Sequence, residues 1–224
     1  MKNGLIFDLD GTLVDSLPGI TDSLNRALSA HSFPTHSPSA VRGFVGNGSR
    51  ILIERALHTN ASEAEIDQVE SAFKADYEVS WPTGTNPYPG IVELLEALQA
   101  RQFPLAVLSN KPHPFTASIV ASLFPKIQFT CILGQLPGIP HKPDPTGAME
   151  IAAKFHLNAA HCIIIGDSTM DLETAQNAGM QAIGVTWGFH DAERLLASGA
   201  SHLAHDSSGL LEILLGEFSQ PLPT

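Results

Sequence analysis

The stretch Leu5-Ile6-Phe7-Asp8-Leu9-Asp10-Gly11-Thr12 decides how the rest of this chain can be interpreted. Three large apolar residues come first, and two carboxylates then follow at alternate positions, directly before a glycine. A short apolar run of this kind is typical of a strand that is buried on both faces. Asp-Gly favours a turn at the point where such a strand ends. The stretch therefore predicts a buried first strand, with Asp8 and Asp10 just beyond its carboxyl end.

Four more apolar runs resemble the first one, and they lie at 105–108, 129–133, 162–165 and 182–185. None of them alternates apolar with polar residues, which again indicates strands covered on both faces. Residues 91–98 and 148–155 instead place apolar residues at helical spacing. Buried strands that alternate with amphipathic helices predict an α/β fold with a doubly wound parallel sheet.

Residues 16–83 interrupt this alternation. The segments 20–30, 51–57 and 64–77 have helical spacing, and no strand pattern lies among them. Thr83-Gly84 and the Pro/Gly-rich residues 86–90 favour a linker back to the sheet. We therefore expect a core formed by residues 1–15 and 84–224, with a small helical domain at 16–83 inserted after the first strand.

Polar clusters follow two of the later strands and precede one helix. They are Ser109-Asn110-Lys111, Lys142-Pro143-Asp144-Pro145 and the segment Gly166-Asp167 to Asp171. Each has an ordinary structural explanation, since these residue types favour turns, solvated loops and helix N-termini. Ligands of open α/β sheets bind outside the carboxyl ends of the strands, however, so the three clusters that follow strands are expected to meet at one edge, where Lys142 can join them from its loop. Their coincidence there favours a functional site.

The residue types at this edge suit phosphoryl transfer. Asp8, Asp10 and Asp167 offer hard oxygen ligands, which favour Mg²⁺ over zinc. Three carboxylates in a chain of net charge −11 need a cation to neutralise them. Lys142 and the hydroxyl of Ser109 can hold phosphoryl oxygens. Asp8 can then act as the nucleophile and Asp10 as the general acid and base.

The composition argues against several other partners. No Lys/Arg-rich segment accompanies the net charge of −11, so neither nucleic acid nor an anionic membrane surface is an expected partner. No apolar run is long enough for a membrane span or a signal peptide. Two cysteines in apolar runs are typical of a reducing compartment, and the expected localisation is cytoplasmic.

These motifs resemble those of the haloacid dehalogenase superfamily of phosphatases, over essentially the whole chain. Residues 8–16 match the family's first motif, and the other three are matched, in order, by Ser109, Lys142 and Gly166-Asp167 with Asp171. The resemblance implies a Rossmann-like core and a mobile helical cap. It also implies Mg²⁺ bound by Asp8, the backbone carbonyl of Asp10, and Asp167. Asp171 would support the metal directly or through water.

Within the superfamily, Asp10 is typical of phosphatases and phosphomutases, and the chain is most similar to the phosphoglycolate phosphatases. The similarity lies in residues 45–48, 109–112 and 186–188. The implied substrate-binding residues are Thr12, Ser109, Asn110 and Lys142, with Gly46, Asn47 and Gly48 of a cap loop. The two glycines of that loop let backbone amides approach a carboxylate or phosphate, although an ordinary interhelical turn explains them equally well.

The expected function is thus a magnesium-dependent phosphatase that acts on a small phosphorylated metabolite, with 2-phosphoglycolate as the best guess. A sugar phosphomutase of the same superfamily and a non-catalytic binding module remain alternatives. The protein is expected to be a monomer or homodimer. Arg50 could reach the substrate or be a surface charge. His202 and His205 have a spacing that fits one helix face, and we interpret them as solvated surface because only Asp206 lies beside them as a further ligand.

Overall fold

The computed structural model describes residues 2–57 and 61–216. Its strands are β1 Gly4–Phe7, β2 Val14–Asp15, β3 Asn86–Pro87, β4 Leu105–Pro112, β5 Cys131–Gln135, β6 Cys162–Gly166, β7 Gln181–Val185 and β8 His202–Ala204. Its helices are α1 Leu17–Ala30, α2 Pro38–Arg42, α3 Ser49–Leu57, α4 Glu63–Gly84, α5 Ile91–Ala100, α6 His113–Leu123, α7 Thr146–Phe155, α8 Thr169–Ala178, α9 Ala192–Ala197 and α10 Ser207–Gly216. Among these residues, no helix is both long and apolar enough to cross a membrane.

A six-stranded parallel sheet in the order β5-β4-β1-β6-β7-β8 forms the centre of the molecule. Strand β1 lies in its interior, where Phe7 pairs with Val107 of β4 and Ile165 of β6. Helices cover both faces of the sheet, which explains why the strand sequences do not alternate. Leu5 and Phe7 belong to the apolar layer that includes α5 and α6, whereas Ile6 belongs to the layer that includes α7 and α8. The predicted doubly wound α/β fold is confirmed.

Helices α1 to α4 lie between β2 and β3 in the chain, as the sequence predicts for the inserted segment. Ser62 and Glu65 form a reciprocal capping box that fixes the start of α4. This helix ends at Gly84, so the prediction that Thr83 and Gly84 belong to a linker is wrong. The helix continues because Tyr77 and Trp81 are buried along it, and because Gly84 packs closely against the backbone of Gly19 in α1.

Two further expectations need correction. His202 lies in β8, which pairs with β7, and His205 follows that strand, so the pair does not occupy one helix face. A three-residue strand carries too little pattern to be predicted, and its pairing with β7 decides its conformation. The predicted strand at 129–133 begins two residues later, at Cys131.

Candidate active site

The register of the sheet brings the polar clusters together at its carboxyl edge. Because Phe7 pairs with Val107 and Ile165, Asp8 emerges between β4 and β6, beside the carboxyl end of β6. Strand β4 runs on to Pro112, so residues 109–111 lie within its last part and not after it. Its register against β5 shifts between Leu108 and Pro112. The predicted convergence of the four clusters is thus present in the structure.

Lys142 lies at the centre of these clusters. Its Nζ is 2.9 Å from Oδ1 of Asp8 and 2.6 Å from Oδ1 of Asp171, and it also donates to the carbonyl of Leu108 at 3.1 Å. The backbone N–H of Lys142 donates to Oδ1 of Asn110 at 2.8 Å. A buried ammonium held by three groups in this way has little freedom, and it links Asp8 to Asp171.

Asp8, Asp167 and Asp171 form a buried acidic cluster whose ligand oxygens lie within 4.8 Å of one another. Burial raises the pKa of Asp8 to about 7 although Lys142 opposes the change, and Asp171 adds to it. Burial, with Asp8 and Asp171 nearby, also holds the pKa of Asp167 well above its usual range. One lysine cannot balance three buried carboxylates. The cluster therefore fits a divalent cation with oxygen ligands, such as Mg²⁺.

Asp167 is oriented by neutral donors. Oγ1 of Thr12 donates to its Oδ1 at 2.8 Å, and the backbone N–H of Phe189 donates to its Oδ2 at 2.7 Å. Gly11, which has φ +88°, and Gly188 lie so close that a Cβ on either would clash with Asp167. Thr12, which the resemblance assigns to the substrate, therefore contacts the acidic cluster.

Asp171 has both of its carboxylate oxygens engaged. Oδ1 accepts from Lys142, and Oδ2 accepts from the hydroxyl of Ser168 at 2.6 Å and from its N–H at 3.1 Å. The contacts with Ser168 form the capping box that starts α8. Asp171 thereby holds Lys142 in place while it belongs to the acidic cluster.

Asp10 forms an ion pair with a residue to which the sequence assigns no role. Its Oδ1 accepts from the hydroxyl of Ser16 at 2.6 Å and from Nζ of Lys111 at 3.0 Å. That ammonium also lies 4.5 Å from the centre of the Tyr77 ring. Burial alone would lower the pKa of Lys111, but the nearby Asp10 carboxylate outweighs it and the pKa is raised. The alternation of side chains along a strand could have indicated a role for Lys111, since it lies two residues after Ser109 and so shares its side of β4.

A cleft of about 630 Å³, including its open mouth, separates the helices α1, α3 and α4 from the sheet edge. The core contributes most of its polar groups, among them Asp8, Asp10, Ser109, Asn110, Lys111 and Lys142. Most of the remaining wall is apolar and comes from Ile20, Val45, Leu52, Phe73, Tyr77 and Phe115. The cleft is therefore charged where Asp8 lies and apolar where the helices cover it.

The loop before α3 reaches the core through Gly46 and Gly48, which both line the cleft. Nδ2 of Asn110 donates to the carbonyl of Gly46 at 3.0 Å, and a Cβ on Gly48 would lie 2.8 Å from the ring of His141. Asn47 does not line the cleft. Its side chain contacts Sδ of Met170 at 3.4 Å and accepts from Arg55, so it attaches the loop to its surroundings.

Two arginines of the helical segment have different surroundings. Arg50 pairs with Glu63 and Asp67 on an exposed surface and does not line the cleft. Of the two roles that the sequence allows, a substrate contact or a surface charge, the structure therefore favours the surface charge. Arg42 donates to the backbone carbonyls of Gly188 and Phe189, next to Asp167. No sequence signal identifies Arg42, because its partners are backbone atoms 146 and 147 residues away.

Comparison with known proteins places these observations in a family. The model of the haloacid dehalogenase-like hydrolases matches residues 5–185. A phosphoglycolate phosphatase of Psychrobacter arcticus is 34% identical over 96% of this chain and 96% of its own length. One of Pectobacterium atrosepticum is 34% identical over 86% of this chain and 83% of its own length. The solved structure of a predicted phosphoglycolate phosphatase from Haemophilus somnus superposes with a TM-score of 0.87 at 31% identity, over 95% of this chain and 97% of that one.

The chain belongs to the haloacid dehalogenase-like hydrolases. The predicted family, its resemblance to phosphoglycolate phosphatases and the enzyme class of phosphoric monoester hydrolase are confirmed.

Proposed function

We propose that this protein is a magnesium-dependent phosphatase that hydrolyses a small phosphate monoester through a phosphoaspartyl intermediate on Asp8, with 2-phosphoglycolate as its substrate. The arrangement of Asp8 carries the proposal. Its carboxylate lies at the carboxyl end of β1, faces the cleft, is paired with Lys142 and shares a buried cluster with Asp167 and Asp171. The names of the relatives support the choice of ester.

In the first half-reaction an oxygen of Asp8 attacks phosphorus, and the bond from phosphorus to the ester oxygen breaks. Asp10 gives a proton to the departing alkoxide, which leaves as an alcohol. In the second half-reaction Asp10 takes a proton from water as that water attacks the phosphoaspartate. Inorganic phosphate leaves, and Asp8 is regenerated. Lys142 and Ser109 hold the phosphoryl oxygens throughout.

Mg²⁺ would be held by Asp8, Asp167 and the backbone carbonyl of Asp10, with Asp171 in support. The cation would neutralise the carboxylates and the charge that develops on the phosphoryl group. Within the chain, Thr12 and the backbone N–H of Phe189 keep Asp167 oriented for this role.

Residues 16–83 act in this proposal as a cap that closes over the leaving group. Gly46 and Gly48 place the cap loop against the core, and Arg42 attaches the cap to the segment beside Asp167. Closure excludes bulk water from the phosphoaspartate. Residues 1–15 and 84–224 form the catalytic core.

The experiment is a panel of phosphate esters assayed with Mg²⁺ and ranked by kcat/KM, with Asp8→Asn as the inactive reference. The proposal expects 2-phosphoglycolate to rank first and Asp8→Asn to be inactive on every ester. A dependence on a sugar bisphosphate would instead indicate a phosphomutase, and absence of turnover on all esters would indicate a binding module.

A further inference from the structure

We infer that Lys111 binds a carboxylate of the leaving group, carried on the carbon next to the ester oxygen. This inference rests on the proposed function and assigns the recognition of its substrate class to one side chain. It begins from the position of Lys111 in the cleft, where its buried ammonium lies between Asp10 of the core and the ring of Tyr77 in α4.

Lys111 is the lysine of the cleft that lies apart from the acidic cluster. The other lysine that lines the cleft, Lys142, is already engaged by Asp8, Asp171 and the carbonyl of Leu108. Among the described residues that line the cleft, Lys111 is therefore the one positive charge outside the acidic cluster. A buried ammonium needs an anionic partner, since desolvation without one is costly.

Its present partner has another task. Both oxygens of Asp10 contact Lys111, at 3.0 and 3.2 Å, and Oδ1 also accepts from Ser16. To exchange a proton with the ester oxygen, Asp10 must direct one of these oxygens toward the substrate. The Asp10 carboxylate then neutralises less of the positive charge of Lys111, at the stage when the leaving group lies beside that ammonium. A carboxylate on that leaving group restores the balance.

The geometry also limits where this carboxylate can be. Asp10 acts on the ester oxygen, and the ammonium lies within hydrogen-bonding distance of Asp10, so the anion must be close to that oxygen. One intervening carbon meets this condition. The apolar wall formed by Leu52, Phe73 and Phe115 offers a carboxylate no hydrogen bond, and its low polarity strengthens the attraction to Lys111.

The test compares 2-phosphoglycolate with 2-hydroxyethyl phosphate, an ester of similar length without a carboxylate, in the presence of Mg²⁺. The variants are Lys111→Met, Lys111→Arg and, as a matched control, Lys126→Met on the exposed surface. In the wild type we expect 2-phosphoglycolate to be preferred in kcat/KM. Lys111→Met should reduce kcat/KM for 2-phosphoglycolate by about 100-fold, mainly through KM, the scale for losing one partner of a buried charge pair. For 2-hydroxyethyl phosphate kcat/KM should fall at least about tenfold less than for 2-phosphoglycolate, because this ester loses only what Lys111 contributes through Asp10. Lys111→Arg should keep part of the preference for 2-phosphoglycolate.

Equal losses on both esters would overturn the inference, because Lys111 would then act only through Asp10. A wild type that hydrolyses both esters equally well would overturn it without any variant, and this comparison does not depend on whether Lys111→Met folds. In both cases the phosphatase activity itself would stand, although the second result would also remove 2-phosphoglycolate as the preferred substrate. Absence of hydrolysis of either ester and of p-nitrophenyl phosphate would remove the proposed function and this inference with it.

Discussion

Replacement of Lys142 by methionine tests the charge balance of the whole site. Methionine keeps an unbranched apolar side chain but removes the ammonium that lies 2.9 Å from Asp8 and 2.6 Å from Asp171. Lys142 is 6% exposed, so water cannot replace the lost contacts. Two buried carboxylates are left without their shared cation, and Asp167 lies in the same cluster.

Removal of one partner from a buried ion pair costs about 3–5 kcal/mol. The lower end is expected here, because the pKa of Asp8 is already raised to about 7 and protonation can relieve part of the repulsion. For a chain of this size a loss of about 3 kcal/mol lowers Tm by roughly 6–12 °C. Hydrolysis should be lost as well, because Lys142 holds the phosphoryl group in the proposed mechanism.

The assay is thermal and urea unfolding at pH 8 in EDTA, compared with Lys154→Met. Lys154 pairs with Glu150 on an exposed helix face, where an ion pair contributes only about 0.5 kcal/mol. Added Mg²⁺ should recover part of the stability that Lys142→Met loses, since it binds the folded acidic cluster. If the two variants unfolded within about 1 kcal/mol of each other in EDTA, the buried carboxylates would not depend on Lys142 and the reasoning would be refuted.

Three further predictions concern single features of the site. Asp8→Asn should fold but abolish hydrolysis with Mg²⁺, and a substantial fraction of wild-type turnover would contradict the covalent mechanism. In EDTA the unfolding free energy should rise as pH falls from about 8 to about 5. The reason is that the pKa of Asp8 is about 7 in the folded protein and 3.8 ordinarily, so the native state binds this proton more tightly than the unfolded state. Urea titrations at several pH values should show a smaller pH dependence of the unfolding free energy in Asp8→Asn. Arg42→Gln should raise KM more than it lowers kcat, because it weakens the attachment of the cap to Gly188 and Phe189; steady-state kinetics that leave KM unchanged would argue against that attachment.

The core of the site could be predicted because the residues that identify it are adjacent in the sequence to the strands that position them. An apolar run that stops at Asp8 identifies both a strand and the side chain at its end, and Asp167 follows β6 in the same way. The parallel order of the strands then brings these ends together without any knowledge of side-chain contacts. The position of Lys142 was predictable for a related reason, since it lies in the short segment that leads into α7 at Thr146.

The remaining features depend on partners distant in the chain. Strand β8 exists because β7 pairs with it, and the last turns of α4 exist because Trp81 is buried and Gly84 meets Gly19. Arg42 interacts with backbone carbonyls, and because every residue has a backbone carbonyl, the sequence does not indicate which ones it contacts. The ion pair between Lys111 and Asp10 spans 101 positions and is invisible to any local pattern.

Asn110 links the two halves of the site, and its geometry refines the role that its motif implies. Nδ2 donates to the carbonyl of Gly46 at 3.0 Å and to that of Lys142 at 3.2 Å, while Oδ1 accepts from the N–H of Lys142. An amide nitrogen has two hydrogens, and both are used in these contacts. Asn110 therefore has no further donor for a substrate. It contacts the backbone of Lys142 and the loop at Gly46 at once, so displacement of that loop would remove one of the contacts that orient the Asn110 side chain against Lys142.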